Sequence, residues 1–224
     1  MKLNLNFDIL DEPIELYPVS SLVIENKTIF AKLIQSLFNY NEDTLDVRIF
    51  DNQHNPLKKH ELMLVTDILS YNVNTAATLK MIYSDLELQI SQDPASKTAI
   101  EDMLGNVLIR INRELLDFPL DLSVSEISIQ GALKALDVRI ETSGETIFER
   151  VFDIVQICKY LPKKSLLVFV NLSTYLSQQE LDRVVEYALL QKINMLLLDN
   201  AIFDMPSDAM QFVIDHDFIL LKNT

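Results

Sequence analysis

Glycine is nearly absent, with only Gly105, Gly131 and Gly144 among 224 residues. A phosphate cradle or a dinucleotide fingerprint needs glycines within a few residues of each other. Side chains would otherwise keep the backbone N–H groups away from the phosphates. No two glycines here are that close, so both motifs are excluded, and so is a GxSxG nucleophile elbow. Cysteine is scarcer still. Cys158 is the single thiol, so no intrachain disulfide can form and a reducing cytoplasm is the expected compartment. It sits between Ile157 and Lys159 near the end of an amphipathic stretch, which reads as a packed thiol and not a nucleophile. His54, His60 and His216 are far apart and form no HxxxH or HExxH pattern. They read as solvated turn or surface residues, since zinc would need carboxylates to complete its set. Long apolar runs are missing too. The longest, LLVFV at 166–170 and MLLL at 195–198, are strand-sized against the roughly 20 residues of a membrane span. The opening MKLNLNFDILDEP reaches an acid by residue 8 and has no apolar leader pattern. No membrane association is expected.

What is present is an ordinary globular balance of 49% hydrophobic and 23% charged residues, enough to bury a core. The net charge of −14 argues against a generic nucleic-acid coat but does not forbid a local basic patch. The charge is spread evenly, with −5 over residues 1–55, −5 over 56–141 and −4 over 142–224. No tail or domain stands out as basic.

The two ends of the chain alternate strand and helix patterns. LNLNF at 3–7, SLVIE at 21–25 and DVRIF at 46–50 read as strands, and IFAKLIQSLF at 29–38 has helical spacing. Later, VRIE at 138–141, SLLVFVNL at 165–172, NMLLLDN at 194–200 and FILL at 218–221 read as strands. Helical stretches at 146–161 and 177–192 alternate with them. Fully apolar strands joined through helices predict a parallel sheet. Between the two ends the spacing predicts helices over 61–72, 77–90, 97–116 and 127–136, with Pro94 opening the longest. The expected fold class is therefore α/β. Residues 1–56 and 138–224 form a head, and 57–137 form an inserted all-helical domain.

The head layout invites comparison with P-loop NTPases. VIENKTIFAKLI at 23–34 has the strand–loop–helix order and carries Lys27-Thr28, but Glu25, Asn26 and Lys27 stand where bare backbone is needed. The strand at 166–170 ends in Asn171 where a metal-binding acid would sit, and MLLLD ends in Asp199. This is a degenerate NTPase-like scaffold without a nucleotide site, or an ordinary doubly wound sheet.

Two charged groups are candidate sites. Glu114, Asp117 and Asp121 are spaced 3 and 4 apart, and Glu126 follows a short loop with Ser123 and Ser125. A helix end plus a loop can supply the oxygen ligands that calcium wants. A solvated acidic face on an acidic protein is the competing reading, and the absence of EF-hand spacing favours it. Lys58 and Lys59 open the helical section, while Lys134 and Arg139 flank its end. If both ends of an insertion meet on one layer, these four cations gather into one patch.

Several stretches then carry a resemblance. ELMLVTDIL at 61–69, LKAL-x-VRIET at 133–142, TIFER at 146–150 and YLPKKSLLVFVN at 160–171 closely resemble the CRISPR-associated type II-A spacer-acquisition (adaptation) family of DNA-encircling rings. The resemblance covers essentially the whole chain. It implies a degenerate P-loop-NTPase-like head with a helical leg, and a homotetramer that binds double-stranded DNA ends without sequence preference. It implies structural calcium (Ca2+), no nucleotide and no catalytic activity of the chain's own. It implies as partners the CRISPR integrase complex and the RNA-guided effector nuclease. The metal role falls on Glu114, Asp117, Asp121 and Glu126, and the DNA-lining role on Lys58, Lys59, Lys134 and Arg139. A ring reconciles an acidic exterior with a cationic bore. Four subunits with a few phosphate contacts each would give a log–log salt slope of about −10. A divergent nucleotide hydrolase built on Lys27-Thr28 is the rival expectation.

Overall fold

The computed structural model describes residues 2–142, 146–206 and 208–223. The chain divides into two units, Met1–Tyr71 with Thr142–Thr224, and Asn72–Glu141.

The first unit contains two sheets. The smaller is antiparallel, ordered β2-β1-β4, from β1 (Leu3–Phe7), β2 (Ile14–Leu16) and β4 (Val47–Asp51). The larger is ordered β5-β6-β7-β3-β8-β9. It is built from β3 (Val19–Ile24), β5 (Leu62–Val65), β6 (Leu166–Val170), β7 (Met195–Asp199), β8 (Met210–Ile214) and β9 (Leu220–Asn223). Every pairing in it is parallel except that of β9, which returns antiparallel on β8. All residues of β3, β6 and β7 are buried, the burial on both faces that the apolar runs predict.

Side-chain alternation sorts those residues onto two faces. Leu22, Ile24, Val168, Leu196 and Leu198 face a core shared with β1, β4 and α1 (Lys27–Phe38), which contributes Phe30, Leu33 and Leu37. The other face is served by α5 (Ile147–Tyr160) and α6 (Gln178–Leu190). These bury Val151, Ile154, Val155 and Cys158, and Leu181, Val184, Val185 and Ala188, at helical spacing. Phe152 of α5 meets Tyr187 of α6 with ring centroids 4.5 Å apart. Thr146 with Glu149, and Ser177 with Glu180, form the capping boxes that start these helices.

Two expectations fail here. The stretch at 61–72, expected as a helix, forms strand β5, paired Leu62↔Leu166 through Val65↔Phe169. A continuous Leu-Met-Leu-Val run suits a buried parallel strand as well as a helix. The Asp67 carboxylate then accepts from the N–H groups of Leu69 (2.9 Å) and Ser70 (3.1 Å), a local turn that competes with helix. Residues 57–71 therefore lie in the α/β unit, and the second unit starts at Asn72. The strand expected at 138–141 does not form. The Asn74 side chain accepts from the Ile140 N–H (2.8 Å) and donates to the Ile140 carbonyl (3.0 Å). The Tyr83 hydroxyl donates to the Val138 carbonyl (2.9 Å). Side chains from the first part of the unit thus occupy the backbone groups a ladder would use.

The second unit holds α2 (Ala76–Ser91), α3 (Pro94–Leu116) and α4 (Ile129–Ala135). Pro94 stands at the start of α3, and Asp93 caps it by accepting from the Ala95 N–H at 3.1 Å. Among the described residues of this unit only Val73, Thr78 and Ile129 are buried.

Candidate functional site

The loop between β3 and α1 lies at the carboxyl edge of the parallel sheet and carries the Lys27-Thr28 pair weighed as a phosphate-loop candidate. Asn26 caps α1, its Oδ1 accepting from the N–H groups of Thr28 (3.0 Å) and Ile29 (3.2 Å). The Phe30 N–H bonds the Asn26 carbonyl at 2.9 Å, and the Glu25 N–H bonds the Ile214 carbonyl at 3.0 Å. The N–H groups of Glu25, Thr28, Ile29 and Phe30 thus all have partners within the chain. Lys27 and Thr28 are the first residues of the helix and not part of a cradle.

At the same carboxyl edge of the sheet stand Asn171, Ser173 and Asp199. Asn171 takes a left-handed turn after β6 (φ 56°). It leads into a short turn that brings the Ser173 hydroxyl to donate to Asp199 Oδ1 at 2.5 Å. Asp199 is 1% exposed. Burial pushes its carboxyl up from the usual range, and the Ser173 bond partly counters that. Asp199 Oδ2 and Asn171 Oδ1 are buried without a hydrogen-bond partner.

The acidic candidates fall within the helical unit. Glu114 lies in the last turn of α3 and Asp117 is its C-cap. Asp121 and Glu126 lie on the irregular exposed segment that follows. Helix ends at Leu116, before Pro119, so the spacing that would stack Asp121 under Asp117 is lost. Among the described residues no three His, Cys, Asp or Glu side chains gather as a metal site. Calcium needs six to eight oxygens, and the four carboxylates do not form such a cradle within one chain.

The cationic candidates divide between the units. Lys58 and Lys59 lie in the α/β unit, at a one-turn 3-10 helix (Lys59–Glu61) just before β5. Both are exposed, and their backbone N–H groups bond the carboxylates of Glu61 (2.8 Å) and Glu42 (3.3 Å). They do not open the helical insertion, because residues 62–65 form a strand. Lys134 lies exposed on α4, and Arg139 sits in the helical unit beside Asp137 at 3.5 Å. The histidines are exposed, and His54 stacks on Phe50 with centroids 5.6 Å apart. Cys158 is buried, and burial pushes its thiol up to about 11.

Sequence reasoning missed one feature of the helical unit. The 23-residue α3 has no buried residue. Leu104 and Leu108 are half-buried, yet Met103, Val107 and Ile111 stand exposed along another stripe. Phe118, Leu120, Leu122 and Val124 follow it, also exposed. The signal was available, because apolar residues cover more of α3 than one face can hide.

A family model described as CRISPR-associated protein (Cas_Csn2) matches residues 38–218. The chain belongs to the Csn2 family. This is the CRISPR-associated family of type II-A adaptation, as the stretches from ELMLVTDIL to YLPKKSLLVFVN imply. It is 40% identical over 218 residues to a CRISPR-associated protein Csn2 of Enterococcus faecalis, covering 97% of this chain and 98% of that protein. It is 41% identical over 220 residues to a Csn2 protein of Streptococcus agalactiae, covering 98% and 97%. In fold it is similar to the crystal structure of Stu0660 of Streptococcus thermophilus, with a TM-score of 0.56 at 12% identity. That match covers 96% of this chain and 75% of the other. Membership in Csn2 places the chain among proteins of CRISPR adaptation. No helix among the described residues is long and apolar enough to cross a membrane.

Proposed function

We propose that this Csn2 chain works without catalysis, as a homotetrameric ring that binds double-stranded DNA ends independently of sequence during spacer acquisition. The observation that carries the reading is the uncovered apolar stripe of α3 with the exposed segment 118–124. Apolar side chains that face water along one helix and continue into the next segment suit burial against further copies. A closed assembly repeats each small cationic group around an axis, so Lys58, Lys59, Lys134 and Arg139 can serve phosphates although the chain is −14 overall. Phosphate contacts carry no base information, which accounts for binding without sequence preference.

In this reading the head is a P-loop-like domain whose nucleotide position has been given up, and the helical unit is its leg. The Asn26 cap supports that, since it occupies the N–H groups of Thr28 and Ile29. It also weighs against the rival reading as a nucleotide hydrolase. Calcium enters the proposal only as an ion taken up by the assembled particle, where carboxylates from several copies can complete its ligand set. The integrase complex and the RNA-guided nuclease are the proposed partners, in the cytoplasm.

The test pairs light scattering with gel shifts on linear and closed circular duplexes of equal length. A tetramer that retains linear DNA and not circles is expected. A lone subunit at all ionic conditions, or equal retention of both forms, overturns the reading.

A further inference from the structure

The amino edge of the large sheet, opposite the nucleotide position, carries a pocket of about 270 Å³ just before β6 and β7. Lys159, Lys164 and Lys192 line it together with Cys158, Pro162, Ser165 and Asn194. No carboxylate is among its lining residues, in a chain of net charge −14. Among the described residues none of the three lysines makes a salt bridge, and the ammonium groups of Lys159 and Lys164 bond backbone carbonyls. The Lys159 ammonium donates to the Gln191 carbonyl at 2.8 Å, and the Lys164 ammonium to the Leu62 carbonyl at 2.8 Å. An ammonium has three N–H donors, so donors remain on both.

The simplest account is that these lysines cap helix ends, since Lys159 lies in the last turn of α5 and Lys192 just past α6. That account does not balance. Two helix C-termini supply roughly half a negative charge each, against three full positive charges. Glu61 reaches the margin by accepting from the Ser165 hydroxyl at 3.2 Å, and about one positive charge is still left over. Lys164 is half-buried, and that burial pulls its ammonium below the usual lysine range. A partly desolvated cation without a counter-charge has its stabilising partner missing.

We propose that Lys159, Lys164 and Lys192 form a binding pocket for a tetrahedral oxyanion of the phosphate class. Ligands of open α/β sheets ordinarily bind at the carboxyl ends of the strands. This pocket is at the other end, so it is not a remnant of a nucleotide site. Its shape and charge suit a phosphate monoester or diphosphate held by charge-assisted hydrogen bonds. The phosphate can be free in solution or stand at a DNA 5′ terminus, and one experiment separates the two.

The full-length protein is titrated calorimetrically with inorganic phosphate and with pyrophosphate at constant ionic strength. Saturable binding is expected, weakened about tenfold in Lys192→Gln, the loss of one charged hydrogen bond. Lys192 is exposed, so its replacement leaves the fold intact, and Lys163→Gln, outside the pocket lining, serves as the control that keeps wild-type affinity. A second arm compares short duplexes with and without a 5′-phosphate. Tighter binding of the phosphorylated end, lost in Lys192→Gln, assigns the pocket to DNA termini. Equal binding of both duplexes, with phosphate still bound, assigns it to a free anion. Absence of saturable phosphate and pyrophosphate binding, or equal weakening in Lys163→Gln, overturns the pocket. The phosphate arm does not depend on DNA binding, so its failure leaves the ring proposal standing.

Discussion

The Ser173 hydroxyl donates to Asp199 across 2.5 Å at the carboxyl edge of the parallel sheet. The carboxyl group is 1% exposed, and its second oxygen has no hydrogen-bond partner. Removing the hydroxyl in Ser173→Ala takes this bond from a buried acid and leaves it the Ser173 backbone contact, at a cost of about 1 kcal/mol. Urea unfolding at neutral pH measures it. The pH dependence has a definite sign. Burial raises the folded pKa of Asp199 above its ordinary 3.8, so the folded state holds the proton more tightly. The stabilising contribution is complete below that value and is lost as pH rises through the folded pKa. Asp199→Asn cannot ionise, so its melting temperature relative to wild type should be higher at pH 7.5 than at pH 4. An unchanged difference between the two pH values would mean that Asp199 is not perturbed by burial.

Tyr40 gives the same logic at high pH. It is buried, and its hydroxyl donates to the Leu57 carbonyl at 2.6 Å, tying the end of α1 to the chain that leads into β5. Burial raises its phenol from 10.0 to about 12. Its contribution is complete below pH 10 and is lost as pH rises through about 12. Tyr40→Phe should cost about 1 kcal/mol at pH 7 and flatten the loss of stability above pH 10. Paired denaturant curves at the two pH values check both halves.

The sequence made the buried strands β6 and β7 legible, because LLVFV and MLLL are apolar on both faces. The capping pairs Thr146–Glu149 and Ser177–Glu180 likewise mark α5 and α6. Other elements depend on distant partners. Leu62–Val65 becomes a strand because β6 offers it an edge, and four apolar residues alone do not decide between strand and helix. Strand β8 contains Gln211, buried because its amide donates to the Phe203 carbonyl at 3.0 Å. A polar residue satisfied that way breaks the apolar pattern by which strands are read. For the acidic candidates, spacing presupposed a helix beyond Leu116, and the chain leaves it there. For the cations, the expectation of one patch assumed that Lys58 and Lys59 border the insertion, which begins later at Asn72.

The apolar stripe of α3 makes a prediction that separates assembly from folding. Val107 and Ile111 are 52% and 44% exposed, so replacing both by Asp removes little burial within one chain. Single-chain stability should change by less than about 1 kcal/mol. The oligomer should fall to a smaller species, since each copy brings the same charge to the interface. Light scattering and thermal melting, run together, check the pair of outcomes. A variant that keeps its mass would show that α3 is not the assembly face.

DNA affinity should then depend on salt in proportion to the cations in contact with phosphate. Each contact contributes roughly −0.9 to the slope of log affinity against log salt. In a ring of four copies, removing one contacting lysine per chain should make the slope shallower by about 3.6. Lys134 is exposed on α4 and makes no ion pair among the described residues, so Lys134→Gln should weaken binding without disturbing the fold. Arg139 lies 3.5 Å from Asp137. That carboxylate already offsets part of its charge, so Arg139→Gln should reduce the slope less. Binding isotherms for both variants across a salt series rank the two residues. Equal slopes for Lys134→Gln and wild type would remove Lys134 from the phosphate contacts.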